Sequence, residues 1–245
     1  MKRFLIALQF LTIFPVSVKS GIKNEDFGAS LLYFPLIGLL IGLLLTLIAF
    51  LFSFLPPLPK GALILAISII ITGGIHLDGF ADTCDGFYGS RPKEKILEIM
   101  QDSRIGAMGV IGIVSLLLLK FTLIVSIQQN FLWKSLIMMA TFSRWSQGLA
   151  CSISNYARKE GKAKFFIEYA KQRNVIIGAL FTLVLFLLMA KLEGMLVFFL
   201  GLLFVLLFIQ YIKGKIGGMT GDTIGATSEI AEVLILFFAL IYPVR

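Results

Sequence analysis

The sequence predicts an all-α fold, a polytopic bundle of transmembrane helices, and two observations predict it. Of 245 residues, 58% are hydrophobic and 15% are charged, and the mean hydropathy is +0.94. The stretch 27–59 holds 33 residues without a charged side chain, which exceeds the roughly 20 residues needed to cross a bilayer core. This composition excludes a soluble globular domain, a disordered chain and a disulfide-rich secreted domain.

Seven apolar segments are long enough, or nearly so, to span the membrane, and together they predict one integral-membrane domain over 1–245. We expect about seven spans, within a range of six to eight. Segment 2–16 is shorter and carries Lys2, Arg3, Gln9 and Pro15, so it is predicted to be a helix at the membrane interface. The predicted spans are 30–55, 61–77, 105–127, 131–151, 174–190, 194–212 and 230–244.

The distribution of charge predicts the orientation. With seven spans, the N-terminus and the loops 17–29, 78–104, 152–173 and 213–229 share one side and carry 16 of the 22 Lys and Arg residues. By the positive-inside rule this side is cytoplasmic in a plasma or inner membrane. Thirteen of the 14 acids lie at or next to the same face, which predicts a cytoplasmic working surface. The net charge of +8 fits contact with anionic lipid better than nucleic-acid binding.

Scarce histidine and cysteine restrict the metal chemistry. The chain has one His and two Cys, so sites built from Cys or several His ligands are excluded and any metal is expected to have oxygen ligands. Asp78, Asp82 and Asp85 recur at i, i+4 and i+7, on one face of a helix. Two carboxylates 4 Å apart repel by about 4 kcal/mol at an effective dielectric of 20, so the cluster requires a cation, an arginine or a proton. A metal bound by oxygen ligands alone is expected to be Mg²⁺ or Mn²⁺. The alternative is a solvated helix end with three unrelated acids.

A second acidic patch, with Asp222, Glu229 and Glu232, follows a glycine-rich stretch far along the chain. Acids at the membrane end of two separate hairpins are most simply interpreted as one shared site. A small-residue helix-packing motif is the alternative interpretation.

Further candidates are single residues. Asp102 and Arg104 enter the third span, where Arg suits a phosphate, and Arg144 within a span is expected to face the bundle interior and a partner. His76 is either a packed residue or part of the site. The basic loop 155–173 is best explained by topology and lipid contact, with capture of an anionic substrate as the competing interpretation.

Acid clusters with arginines favour metal-assisted phosphoryl transfer. An ion-coupled transporter with an acidic cation site is the alternative, and a structural or assembly role is a third. The acids gather at one membrane face rather than at the midplane, which disfavours transport.

Several sequence blocks resemble the cobalamin synthase family. They cover the chain in matching order and include GGIHLDGFADTCDG at 73–86, LEIMQDSRIG at 97–106 and GMTGDTIGA at 218–226. Smaller matching blocks lie at 9–15, 34–38, 143–145 and 156–161. The acids at 78–85 are also loosely similar to those of the CDP-alcohol phosphotransferases, but the later Asp spacing of that family is not reproduced.

The resemblance implies the last assembly step of cobalamin biosynthesis. A hydroxyl of α-ribazole, or of its 5′-phosphate, would attack the cobinamide-side phosphate of adenosylcobinamide-GDP and release GMP, with Mg²⁺ as the metal. The expected partners are these two small molecules and the lipid bilayer, without nucleic acid, and a homo-oligomer is left open. The implied metal ligands are Asp78, Asp82 and Asp85, the catalytic acids Asp82, Asp102 and Asp222, and the substrate-binding residues Arg104, Arg144 and His76.

Overall fold

The computed structural model describes residues 1–16 and 21–242, and these form helices and connecting loops without a β-strand. The predicted all-α class is therefore confirmed. Lys19 and Arg245, which entered the charge count, and the end of predicted span 230–244 lie outside the described residues. The helices are α1 Lys2–Leu11, α2 Asn24–Ser30, α3 Phe34–Leu51, α4 Pro57–Thr72, α5 Ile75–Phe87, α6 Lys93–Ile99, α7 Ala107–Ser126, α8 Gln129–Ser152, α9 Lys164–Glu168, α10 Gln172–Ile216 and α11 Gly221–Ile241.

Four helices of the described residues are long and apolar enough to cross a membrane: the α2–α3 unit, α7, α10 and α11. A fifth span results if α4 and α5, which are bent by 90° at their junction, count as one. The structure therefore supports a membrane-embedded helical bundle. The count of about seven spans stays a prediction.

Helix α10 contains a reversal of the chain. Ala190 and Lys191 have non-helical backbone angles, and the rings of Phe186 and Phe198 lie with their centroids 5.7 Å apart. Twelve residues of a straight helix would separate them by about 18 Å, so the two halves of α10 form a helical hairpin. The reversal falls between the predicted segments 174–190 and 194–212.

The predicted span 61–77 ends earlier than the hydropathy suggested, because α4 stops at Thr72. Gly73 and Gly74 follow with φ of +62° and +68°, in the left-handed region that glycine adopts without a steric penalty. These two residues turn the chain through the 90° bend into α5. The acidic motif thus lies on a helix of its own rather than at the end of a continuous span.

Helix α8 is the centre of the bundle and is buried over most of its length. It packs against α3, α10 and α11, and Phe142 on α8 contacts Trp145, Phe186 and Phe198 in an aromatic cluster. This packed core holds the helices whose ends carry the candidate site.

Helix α1 lies at the same end of the bundle as the candidate site. Its residues Ile6, Ala7 and Leu11 are buried, and Asp26 of α2 holds its start through ion pairs to Lys2 at 2.6 Å and Arg3 at 3.3 Å. Its predicted position in the membrane interface stays a prediction.

Candidate functional site

The loops after α8 and α10 meet at one end of the bundle. The amide of Ala157 donates to the carbonyl of Met219 at 2.9 Å, and the amide of Met219 donates to the carbonyl of Asn155 at 2.9 Å. These bonds tie the basic loop 155–173 to the glycine-rich stretch before α11. The predicted same-side loops 152–173 and 213–229 are thus neighbours.

Gly79 lets α5 approach the first turn of α11. A Cβ atom at this position would lie 2.7 Å from both the Cα and the carbonyl oxygen of Asp222, a distance that real Cβ contacts do not show. The absence of a side chain therefore brings α5, with Asp78 and Asp82, against Asp222. Thr220 caps α11, since its hydroxyl accepts from the amide of Thr223 at 3.2 Å. The first acidic stretch thus meets Asp222 of the second acidic patch here.

A cavity of about 330 Å³ opens beside this junction. Its volume lies at the lower end of the range for small-molecule sites, which is about 300–1,000 Å³. It combines acids, cations and apolar walls from α1, α5, α8, α11 and the basic loop. The lining residues are Phe10, Ile75, His76, Asp78, Gln147, Tyr156, Arg158, Gly161, Lys162, Ala163, Gly221, Asp222, Ile224 and Gly225.

The acids at this junction outnumber their partners. Asp222 pairs with Arg158 at 2.7 Å, whereas Asp78 and Asp82 form no ion pair among the described residues. Asp82 lies within electrostatic reach of Asp78, Asp222 and Arg158. This excess of negative charge favours a cation.

No group of three or more His, Cys, Asp or Glu side chains among residues 1–16 and 21–242 converges closely enough to hold a metal ion by itself. Mg²⁺ commonly binds through one or two carboxylates together with substrate phosphates, rather than in a cage of protein ligands. The oxygen-only donor set of Asp78 and Asp82 fits that mode of binding.

Asp85 is turned away from the cavity. Its carboxylate accepts from the amide of Gly106 at 2.7 Å and from the amide of Gly109 at 2.8 Å. Such a position stabilises the start of α7 by satisfying free amides next to the positive end of the helix dipole. The third acid of the sequence motif therefore has a structural task, and its role as a metal ligand stays a prediction.

Asp102 and Arg104 lie on an exposed turn outside the cavity lining and pair with each other. The Arg104 Nη2–Asp102 Oδ2 distance is 2.9 Å and the Nε–Oδ1 distance is 3.1 Å. Hydrogen bonds from Arg104 lower the pKa of Asp102 to about 2, so the pair stays ionised at physiological pH. The structure does not bring either residue to the cavity.

Arg144 faces the bundle interior, as expected of an Arg within a span, and its partner is an acid. Its Nη1 donates to Glu232 Oε1 at 2.7 Å and to Ser228 Oγ at 3.0 Å. Lys120 contacts both Glu232, at 2.6 Å, and Glu229. Glu229 and Glu232, which the sequence grouped with Asp222, thus belong to a separate buried network of two cations and two anions.

Arg158 and Gln147 are functional candidates that the sequence reasoning did not single out. The six Lys and Arg residues of the basic loop 155–173 are explained by membrane topology when the sequence is considered alone. In the structure, Arg158 is the one among them that pairs with Asp222. Its Nε atom is buried without a hydrogen-bond partner among the described residues. Gln147 lies one turn after Arg144 on α8, so a polar residue on the same face of an apolar span was the available signal. His76, the predicted site residue, does line the cavity and contacts Gln147.

Comparisons with known proteins agree with these features. Residues 3–240 match the family model described as cobalamin-5-phosphate synthase. Relatives named adenosylcobinamide-GDP ribazoletransferase occur in Clostridium acetobutylicum, at 36% identity over 98% of this chain and 97% of the relative, and in Geotalea daltonii, at 38% identity over 96% of each. A third, in Desulfitobacterium hafniense, is 38% identical over 99% of each chain.

No solved structure matches this chain. The resemblance inferred from the sequence blocks is confirmed by the family match and the full-length relatives. The chain belongs to the cobalamin-5-phosphate synthase family, and it is a transferase of cobalamin biosynthesis.

Proposed function

We propose that the protein transfers the adenosylcobinamide phosphate group from adenosylcobinamide-GDP to α-ribazole or α-ribazole 5′-phosphate. The acceptor oxygen forms a bond to the cobinamide-side phosphorus, the bond from that phosphorus to GMP breaks, and the hydroxyl proton passes to a base. The products are adenosylcobalamin, or its 5′-phosphate, and GMP. The observation that carries the proposal is the cavity lined by Asp78 and by the Asp222–Arg158 pair, with Asp82 within electrostatic reach of both acids.

Mg²⁺ is the proposed metal, with Asp78 and Asp82 as its protein ligands. When bound, it would neutralise charge on the diphosphate and stabilise the leaving oxygen. Asp85 completes the proposed ligand set only if its carboxylate keeps a lone pair beyond the bonds to Gly106 and Gly109.

The cationic side of the cavity is proposed to bind the diphosphate. Arg158 has one donor, Nε, without a partner among the described residues, and a planar guanidinium suits phosphate oxygens. Lys162 lines the same side. Burial raises the pKa of Tyr156, which keeps its hydroxyl protonated as a donor.

Asp222 is the proposed base for the acceptor hydroxyl. It lies in the cavity wall, 2.7 Å from the Arg158 guanidinium, and its carboxylate can accept the hydroxyl proton. Asp102 is the alternative base and Arg104 a further phosphate contact, and both require the exposed pair to open and move towards the substrate. Arg144 is engaged by Glu232 in the buried network, so it would influence phosphate binding only indirectly, through the residues of that network.

The cavity is proposed to face the cytoplasm of the cell membrane. Three of the basic loops contact one another at this end of the bundle, through the Arg158–Met100 and Ala157–Met219 hydrogen bonds. The opposite end carries few cations, which agrees with the positive-inside rule.

The test is GMP release by the purified chain in proteoliposomes supplied with both substrates. We expect release to require Mg²⁺, to stop on chelation and to fall by about 10³-fold in Asp82→Asn, since a metal supplies several kcal/mol of charge stabilisation. Retained Mg²⁺-dependent release in a correctly inserted Asp82→Asn variant would contradict the metal role. Accumulation of substrate or ions in sealed vesicles without GMP formation would favour the transporter alternative.

A further inference from the structure

The buried end of the cavity carries a pair of polar side chains that the proposed chemistry does not use. His76 is 4% exposed and Gln147 is fully buried, and both line the cavity. Gln147 Nε2 and His76 Nε2 lie 3.0 Å apart. The remaining polar atoms, His76 Nδ1 and Gln147 Oε1, have no hydrogen-bond partner among residues 1–16 and 21–242.

An unpartnered buried polar group costs about 1–3 kcal/mol, and two at one cavity wall indicate a ligand. The hydrogen-bond character of the pair does not depend on the histidine tautomer. If Gln147 donates to Nε2, the imidazole carries its proton on Nδ1, and the pair presents one donor, Nδ1–H, and one acceptor, Oε1. With the other tautomer and a flipped amide, Nδ1 accepts and the amide NH₂ donates. Either way one donor and one acceptor remain for a ligand.

Sugar hydroxyls match this pattern, because each one donates and accepts through one oxygen and the neighbouring hydroxyls of a ribose can serve two separate atoms. Among the other lining residues, Ala163 and Ile224 are apolar and buried, whereas Lys162 is exposed. A cavity of about 330 Å³ has room for a nucleoside but not for a corrinoid conjugate. The buried end therefore suits an uncharged ring and its ribose.

We propose that the His76–Gln147 pair binds ribose hydroxyls of the nucleoside acceptor and that the buried end of the cavity is the acceptor subsite. This inference rests on the proposed function. His76 lines the same cavity as Asp78 and Asp222, so a group bound at His76 lies near the acids. The acceptor ribose carries the reacting hydroxyl, whereas the guanine of the other substrate is separated from the reacting phosphorus by a ribose and a phosphate.

The experiment measures steady-state KM values in proteoliposomes and equilibrium binding of labelled α-ribazole without the second substrate. The wild-type chain is compared with Gln147→Leu, which has similar volume without the amide. The nucleoside is compared with its 2′-deoxy and 3′-deoxy forms. We expect one deoxy form to bind about tenfold more weakly to the wild type, the value for one hydrogen bond of about 1.4 kcal/mol. Gln147→Leu should bind α-ribazole equally weakly and no longer discriminate against that form.

The KM for adenosylcobinamide-GDP should change less than twofold in Gln147→Leu. A change confined to that KM, or equal binding of all three nucleosides by the wild type, would overturn the inference. The deoxy comparison needs no variant, so it decides the question even if Gln147→Leu does not fold. Nucleoside binding with the expected discrimination but no GMP formation would refute the proposed reaction and leave the subsite standing. GMP formation without discrimination would refute the subsite alone.

Discussion

Helix α11 carries three acids in two different environments. Asp222, in its first turn, borders the cavity and shares its neighbourhood with Asp78 and Asp82. Glu229 and Glu232, two to three turns deeper, are buried and paired with Lys120 and Arg144. The same helix thus has an open end with excess negative charge and a closed interior with balanced charge.

The difference shows how the chemistry of an acid depends on what surrounds it. In the interior, four charges compensate one another, so the network can join α7, α8 and α11 without an external ion. Where α5 meets α11, the three carboxylates of Asp78, Asp82 and Asp222 share one paired arginine, and a cation is needed to balance them. A buried group of side chains with balanced charges indicates a structural role. An accessible group with an excess of one charge indicates a binding role.

The largest expected effect follows from removing a charge from the unbalanced region. Asp78→Asn should lower kcat by about 10³-fold, because it removes a proposed metal ligand. The melting temperature should stay unchanged or rise, since the variant relieves repulsion with Asp82 and Asp222. Assay of GMP release together with thermal unfolding in detergent measures both. A large loss of stability with normal activity of the folded fraction would indicate a structural role for Asp78 and contradict its proposed binding role.

The balanced region should respond in the opposite way. Glu232→Gln leaves Lys120 and Arg144 with one carboxylate, and breaking a buried ion pair typically costs about 3–5 kcal/mol. We expect a lower midpoint in thermal or denaturant unfolding and near-normal kcat in the protein that remains folded.

A paired replacement sharpens the test of the network. Lys120→Met combined with Glu229→Leu removes one cation and one anion and leaves the Arg144–Glu232 pair balanced. This double variant should be more stable than Lys120→Met alone. Equal stability of the two would show that charge balance does not govern the interior.

A smaller effect is expected from widening the junction between the two acidic stretches. Gly79→Ala places a methyl group against the backbone of Asp222, and such overpacking costs about 1–3 kcal/mol. Because α5 and α11 must separate, kcat should fall as well. Gly214→Ala is the matched control, since nothing lies within 4 Å of its added Cβ, and it should leave activity unchanged. Equal effects of the two substitutions would contradict the inference that α5 contacts α11 closely only because residue 79 has no side chain.

The smallest effect is expected at the exposed Asp102–Arg104 pair. Arg104→Gln should raise the KM for adenosylcobinamide-GDP by about two- to fivefold, as expected for one solvated charged contact. It should also raise the pKa of Asp102 from about 2 towards its ordinary value, which NMR of labelled aspartate can follow. A loss of activity as large as that of Asp78→Asn would place Arg104 at the reacting phosphate.

The sequence alone determined the class of the protein and most of the candidate residues. Apolar runs of spanning length require helices, because lipid offers no partner for free backbone amides and carbonyls. The single histidine and unpaired cysteines restricted any metal to oxygen ligands. The spacing of Asp78 and Asp82, the second stretch around Asp222 and the family blocks were all visible without coordinates.

Only the tertiary structure decided which of these residues act together. Spacing on α5 could not show that Asp85 is engaged by the amides of α7, since that contact joins residues more than 20 positions apart. Nor could it separate Asp222 from Glu229 and Glu232, because their partners Lys120 and Arg144 come from other helices. The left-handed glycines before α5 and the missing side chain of Gly79 set the geometry that brings Arg158, His76 and Gln147 to one cavity. Long-range packing of this kind depends on which surfaces meet, and a linear pattern of residue types does not specify it.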